Sequence, residues 1–121
     1  MTREEEKREI LAFTYGERVK GELLAVGQLL DTIASLQGPE RHGALALFRT
    51  VIAAVAGDLR LAARGLGGED LRGLDVRIEL VEGFARLMQM PAAREELSVL
   101  LSRVTTVRGR AMAALRAKAL L

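Results

Sequence analysis

A chain of 121 residues with no cysteine excludes disulfide frameworks, thiolate metal sites and cysteine nucleophiles. Half of it is hydrophobic, yet it has only three Phe, one Tyr and no Trp, so its core must be Leu, Ala, Val and Ile, as in a helical bundle. The net charge is only +2, too small to mark a nucleic-acid binder by itself.

That length suits a single domain, 1–121, able to bury a core without metals or cross-links. Met1–Ile10 is charged rather than apolar, so no secretory leader is expected. The most apolar run, Gly43–Gly57, contains Arg49 and is shorter than the roughly 20 residues of a membrane-spanning helix. The expectation is a soluble, cytoplasmic protein that engages no membrane.

Four segments carry helical periodicity. The first, 2–37, has Thr2 as its cap and Glu4, Glu5 and Glu6 in the first turn, where carboxylates suit the positive end of the helix dipole. Its apolar seam runs Ala12, Gly16, Val19, Leu23, Val26, Leu30 and Ile33, widened by Leu24, Leu29 and Leu36. Gly16, Gly21 and Gly27 each cost about 0.8–1 kcal/mol relative to Ala inside a helix. Close approach of a neighbouring helix is the favoured reason for them; a kink or small cavity beside Phe13 and Tyr15 is the alternative. Gly38 suits a left-handed cap and Pro39 the first position of a second helix, so the helix stops at Gln37 and the next one runs antiparallel to it.

The second segment, 39–64, carries heptad positions Leu45, Phe48, Ile52, Val55, Leu59 and Ala62, continued by Leu66. A second stripe, Ala44, Leu47, Val51, Ala54 and Leu61, lies beside it. Ala46, Thr50, Ala53 and Gly57 make a third, so this helix is expected to be covered on every side. Gly65, Gly67 and Gly68 break it.

The third segment, 69–89, has the seam Leu71, Leu74, Ile78, Val81, Ala85 and Met88, flanked by Leu80, Phe84 and Leu87. Pro91 biases Met90 toward extended backbone and opens the fourth segment, 91–120. Its seam is Leu97, Leu100, Val104, Val107, Ala111 and Ala114, with Leu101, Met112 and Leu115 alongside. The pattern predicts an all-α protein: an antiparallel up-down-up-down four-helix bundle with long helices and coiled-coil-like packing.

Charge follows the same segments. Residues 1–40 hold 5 basic and 8 acidic groups, 41–66 hold 4 and 1, 67–93 hold 3 and 5, and 94–121 hold 6 and 2. The sign therefore alternates from helix to helix, which favours complementarity between neighbours over a basic surface for nucleic acid. At about 1.5 Å per residue the helices would measure roughly 52, 40, 30 and 45 Å, so the first and last overhang the others at one end. Overhangs and surplus apolar face together predict a homodimer.

Catalytic constellations are missing. One histidine, His42, allows neither a two-histidine metal site nor the Glu-x-x-His pairs of carboxylate-bridged metal bundles. Histidine phosphotransfer bundles carry an exposed mid-helix histidine followed by Lys-Gly. His42 stands in a first turn followed by Gly43-Ala44-Leu45, so that resemblance covers the architecture and one residue. Glu79 and Glu82 read as a solvated face, and Asp58 as a salt-bridge partner. Gly65-Leu66-Gly67-Gly68 has no preceding strand and no Lys-Ser/Thr pair, so it reads as a loop rather than a phosphate cradle. The run Glu96-Leu97-Ser98 to Val107-Arg108 faintly resembles the helix-turn-helix of winged-helix regulators. Ser102-Arg103 replaces the turn glycine there, and the heptad through Val104 and Val107 argues for one continuous helix.

The function these features favour is non-enzymatic and cofactor-free. The bundle would self-associate and bind another protein, as an adaptor, small chaperone or assembly subunit. Its expected interface is Leu47, Val51, Ala54 and Leu61 together with Ile10, Leu11, Phe13, Leu120 and Leu121. One alternative is nucleic-acid binding or transcription regulation through Arg103, Arg108, Arg110 and Arg116. Another is a small ligand held beside Tyr15 and Gly16.

Overall fold

The computed structural model describes residues 2–62 and 68–119, with side chains described everywhere in those ranges except 68–72. Among them run four helices: α1 (Arg3–Ser35), α2 (Gly38–Ala62), α3 (Gly68–Arg86) and α4 (Met90–Ala117). Side chains that meet across the seams fix the topology. Gly16 faces Arg108, Gly27 faces Leu97 and Asp31 pairs with Arg94, so α1 and α4 are antiparallel neighbours. Arg49 with Glu82 and Arg60 with Asp75 set α2 against α3, while Gly73 with Arg103 and Arg77 with Glu96 set α3 against α4. With the short turn joining α1 and α2, this is an all-α four-helix bundle in which each helix touches two others. The α2–α3 seam is the least extensive of the four.

The hydrophobic seams close on one another. On α1 every predicted seam position, Ala12, Gly16, Val19, Leu23, Val26, Leu30 and Ile33, is buried. On α2 the buried set is Phe48, Ile52, Val55, Leu59 and Ala62, with Leu45 half-buried at the start. Leu74, Ile78, Val81 and Ala85 answer from α3, and Met90, Ala93, Leu97, Leu100 and Val104 from α4. No polar or charged residue as a whole is buried among the described residues; at the edge of the core, single atoms of Glu22 and Arg108 are. Leu66 and the side chain of Leu71 lie outside the described residues, as do Gly65 and Gly67.

Helix ends depart from expectation. Thr2 caps α1 as predicted, the Glu5 N–H donating to Thr2 Oγ1 at 3.1 Å. The helix stops at Ser35 rather than Gln37, because Leu36 is extended and Gly38 supplies the left-handed residue at φ +59°. Helix α3 ends at Arg86, three residues early. The Gln89 N–H reaches back to Phe84 O at 2.8 Å and the Met88 N–H to Ala85 O at 3.0 Å, a Schellman closure with Met88 left-handed at φ 58°. Met90 is correspondingly the first residue of α4 and not extended; its side chain is buried, which holds it in the helix, and Gln89 becomes the cap. Near the other end of α4 the seam shifts from Ala114 to Leu115, which is almost fully buried while Ala114 is half-buried.

Helix α1 is continuous through Gly16, Gly21 and Gly27. At Gly16 the reason for glycine is contact: a Cβ there would stand 3.2 Å from Arg108 Cβ. Asp58 lies four residues before the described end of α2 and pairs with Arg18. Ala62 therefore stands level with about residue 14 of α1, so residues 3–13 of α1 and the end of α4 run past the described part of α2; residues 63–67, on which the expected overhang depends, lie outside the described residues.

Core packing predicts a sharp contrast between two leucines of α1. Leu30→Ala should lower stability by about 2–5 kcal/mol in urea unfolding, since the site is fully buried. Leu24→Ala, at a residue 52% exposed, should cost less than about 1 kcal/mol.

Candidate interaction surface

The α2 helix is not covered on every side within this chain. Opposite its buried seam, Gly43, Ala46, Leu47, Thr50, Ala53, Ala54 and Gly57 are all exposed, with Leu47 57% in water. Of the expected interface on this helix, Leu47 and Ala54 stand on that outer face. Val51 turns inward to pack against the core, and Leu61 is half-buried. Helix α1 continues the surface. Gly21, Ala25, Thr32 and Ser35 are exposed there without a charge among them, while Leu24 and Gln28 stand on the α4 side of α1. In the overhang Ile10 is exposed, Leu11 and Phe13 are half-buried, and Leu120 and Leu121 lie outside the described residues.

Charges line the edges of the wall and are engaged there. Arg49 reaches Glu82 at 3.5 Å and Arg60 reaches Asp75 at 3.4 Å on the α3 side, while Arg18 reaches Asp58 at 3.8 Å on the α1 side. Every pair of neighbouring helices is bridged by at least one such pair. Four of the six follow the alternation of segment charge. Arg18–Asp58 and Arg77–Glu96 run against it, because segment totals do not say which individual charges face each other. Glu82 is thus a half-buried partner of Arg49 rather than part of a solvated face; Glu79 is exposed. Exposed pairs contribute little each, so their effect is mainly on which helix faces align.

Three of the four arginines considered for nucleic acid, Arg103, Arg110 and Arg116, are exposed on α4. The fourth, Arg108, is folded against Glu17 at 2.6 Å with Met112 Sδ at 3.8 Å, its side chain only 18% exposed. Arg103 and Arg110, a heptad apart, lie on the α3 side of α4, and Arg103 leans over Gly73. Helix α4 is continuous across Ser102-Arg103, so there is no turn of a helix-turn-helix there.

Sequence reasoning missed Glu22. It sits between α1 and α2 with Oε2 buried and without a hydrogen-bond partner, beside the Asp58 carboxylate. Arg18 is 3.9 Å from one carboxyl and 3.8 Å from the other, too far to hydrogen-bond either well, and lies over the Tyr15 ring at 5.9 Å. Burial, followed by the neighbouring Asp58 carboxyl, pushes Glu22 up from its ordinary 4.5 to about 7, although Arg18 pulls the other way. The signal was present in Arg18 and Glu22, one turn apart, but only the α1–α2 register shows that Asp58 meets them.

A shallow groove of about 470 Å³ runs between α1 and α4, floored by Leu23, Leu97 and Leu101 and opened by Gly27, with the Asp31–Arg94 pair at its edge. The space expected at Gly16 is filled by Arg108. Among the described residues no three His, Cys, Asp or Glu gather as a metal site, and no helix is long and apolar enough to cross a membrane. Comparison with protein-family models, with curated proteins and with solved structures finds no match to this chain.

The carboxyl pair predicts a pH dependence of stability. A raised folded pKa means that the folded chain holds a proton which the unfolded chain releases near 4.5. Stability should be greatest below about pH 4.5 as far as this group is concerned, and fall as pH rises through about 7. Glu22→Gln should therefore raise the melting temperature at pH 8 and change it little at pH 5, read by circular dichroism. Equal effects at both pH values would contradict the assignment.

Proposed function

We propose that this chain is a non-enzymatic association module: a helical bundle that binds a second copy of itself and presents the remaining surface to another protein, as an adaptor or assembly subunit does. The observation that carries this reading is the uncharged wall of α1 and α2. Single exposed apolar residues are ordinary on a soluble protein, but a contiguous apolar or small-residue patch without charge is the mark of a contact surface. The wall runs over about 21 Å of α2 and continues onto the adjoining flank of α1. It borders on ion pairs rather than containing them, so covering it strands no charge.

A further apolar row supports the partner half of the reading. Val76, Leu80 and Leu87 point outward from α3 and its closing turn, Leu87 being 65% exposed. Helical spacing puts the three on one side, opposite Leu74, Ile78, Val81 and Ala85. With the wall on one flank and this row on another, one copy has two separate apolar surfaces, one for self-association and one left over.

The nucleic-acid alternative has less support. Arg108 is committed to Glu17, and Arg116 lies about a third of a turn away from the Arg103–Arg110 side of α4, so the four do not form a strip along which phosphates could be tracked.

Light scattering over a series from about 1 μM to about 1 mM tests the proposal. The mass should rise from one chain toward two as concentration increases. A mass of one chain throughout would overturn self-association.

A further inference from the structure

Resting on that reading and dividing its two apolar surfaces, the geometry points to the outer face of α3 as the place where a second copy binds. Two α3 helices pack antiparallel about a two-fold axis, and Glu79 of each chain pairs with Arg86 of the partner subunit. The uncharged wall is then the surface left for a different protein.

Spacing is the first observation. Val76, Leu80, Gly83 and Leu87 follow one another at intervals of four, three and four, the spacing of a coiled-coil seam. They lie opposite the buried row Leu74, Ile78, Val81 and Ala85, so α3 carries two seams and the bundle closes only one. Three of the four outer positions are large apolar side chains, 47%, 36% and 65% exposed at Val76, Leu80 and Leu87. Leu87 still belongs to the helical row, since its N–H donates to Gly83 O at 3.2 Å before Met88 turns the chain.

Charge is the second observation, and it is independent of the first. Asp75, Arg77 and Glu82 on the same helix each pair with a neighbouring helix of the bundle. Glu79 and Arg86 are exposed, and neither pairs with another described residue. They are opposite in sign, one heptad apart, and on the same edge of the outer seam. In an antiparallel helix pair each edge meets the same edge of the other helix in reverse order. Glu79 therefore meets Arg86 of the partner subunit, twice. A parallel pair would set this edge against the opposite one, which holds Phe84 and the already engaged Arg77, and would leave both charges unanswered.

One axis satisfies both observations. Placed at the level of Val81 and Glu82, it sets Val76 opposite Leu87 of the partner subunit and Leu80 opposite Gly83 of the partner subunit. Gly83 is an open hole for that leucine, because nothing in the chain stands within 4 Å of the place its Cβ would occupy. The seam thus supplies both knob and hole, and its edge supplies both charges. That self-complementarity is what identifies the occupant as a second copy of this chain rather than an unrelated helix. A single helix face is a small interface, so the contact is concentration-dependent, and the ion pairs set its register more than its strength.

Charge reversal tests the pairing by sedimentation velocity at low ionic strength and high protein concentration. Glu79→Arg alone and Arg86→Glu alone should each weaken association, by roughly tenfold when two exposed pairs turn from attraction to repulsion. The first substitution takes the formal net charge of +2 to +4 and the second takes it to 0, so general repulsion between copies would move the two variants in opposite directions. An equimolar mixture of the two single variants should regain the wild-type association, and so should the double variant Glu79→Arg/Arg86→Glu. That recovery also shows that neither substitution acts by unfolding the chain. A wild-type dimer unaffected by either single change, or single variants that the mixture does not rescue, would overturn this register and leave self-association through another face standing. A monomeric wild-type mass at all concentrations would overturn both.

Discussion

One apolar stripe per helix, closed against the others, is the constraint on which the rest of this protein depends. The buried set is wholly hydrophobic, and no buried polar side chain among the described residues imposes its own geometry on it. Register must then come from shape and from the seam edges. Shape acts at Gly16, where the missing side chain lets Arg108 close in. At the edges, ion pairs bridge each neighbouring pair of helices. Each such pair contributes little to stability, but together they penalise any rotation that would bring like charges together. A core of interchangeable aliphatic residues gains its uniqueness from its borders.

The same constraint explains what was legible in the sequence. On α1 the whole buried row could be read from spacing, because every third or fourth residue is apolar and the opposite face contains Arg18, Gln28 and Thr32. Periodicity fails where polarity does not vary around the helix. On α2 the heptad picked out the buried seam of Phe48, Ile52 and Val55, but three rows are apolar or small, so spacing could not tell that Val51 turns inward while Leu47 and Ala54 stand outside. Helix ends failed for a different reason: a turn can be closed by a non-glycine residue in left-handed conformation, as Met88 does, and no residue preference announces it.

Site chemistry was legible only in part because it is made by register. Asp58 was evidently out of place in an apolar context, and its salt bridge to Arg18 is what the structure shows. That Glu22 shares this arginine depends on how α1 and α2 slide past each other, a quantity that no single-helix pattern holds. The interhelical pairs show the same limit. Segment charges foretold opposite signs across most seams, but two of the six pairs run the other way because single side chains decide contact.

The charge-free wall and the carboxyl pair are adjacent, and the adjacency has a physical consequence. Asp58 follows Gly57 at the edge of the α2 stripe, and with Glu22 it places two carboxyls against one guanidinium. With Glu22 ionised, the edge carries a net negative charge beside a surface that has none to answer it; with Glu22 protonated, the cluster is neutral. Any partner that covers the wall removes water from this edge and raises the cost of the doubly ionised form. By linkage, contact there and proton uptake by Glu22 would favour each other.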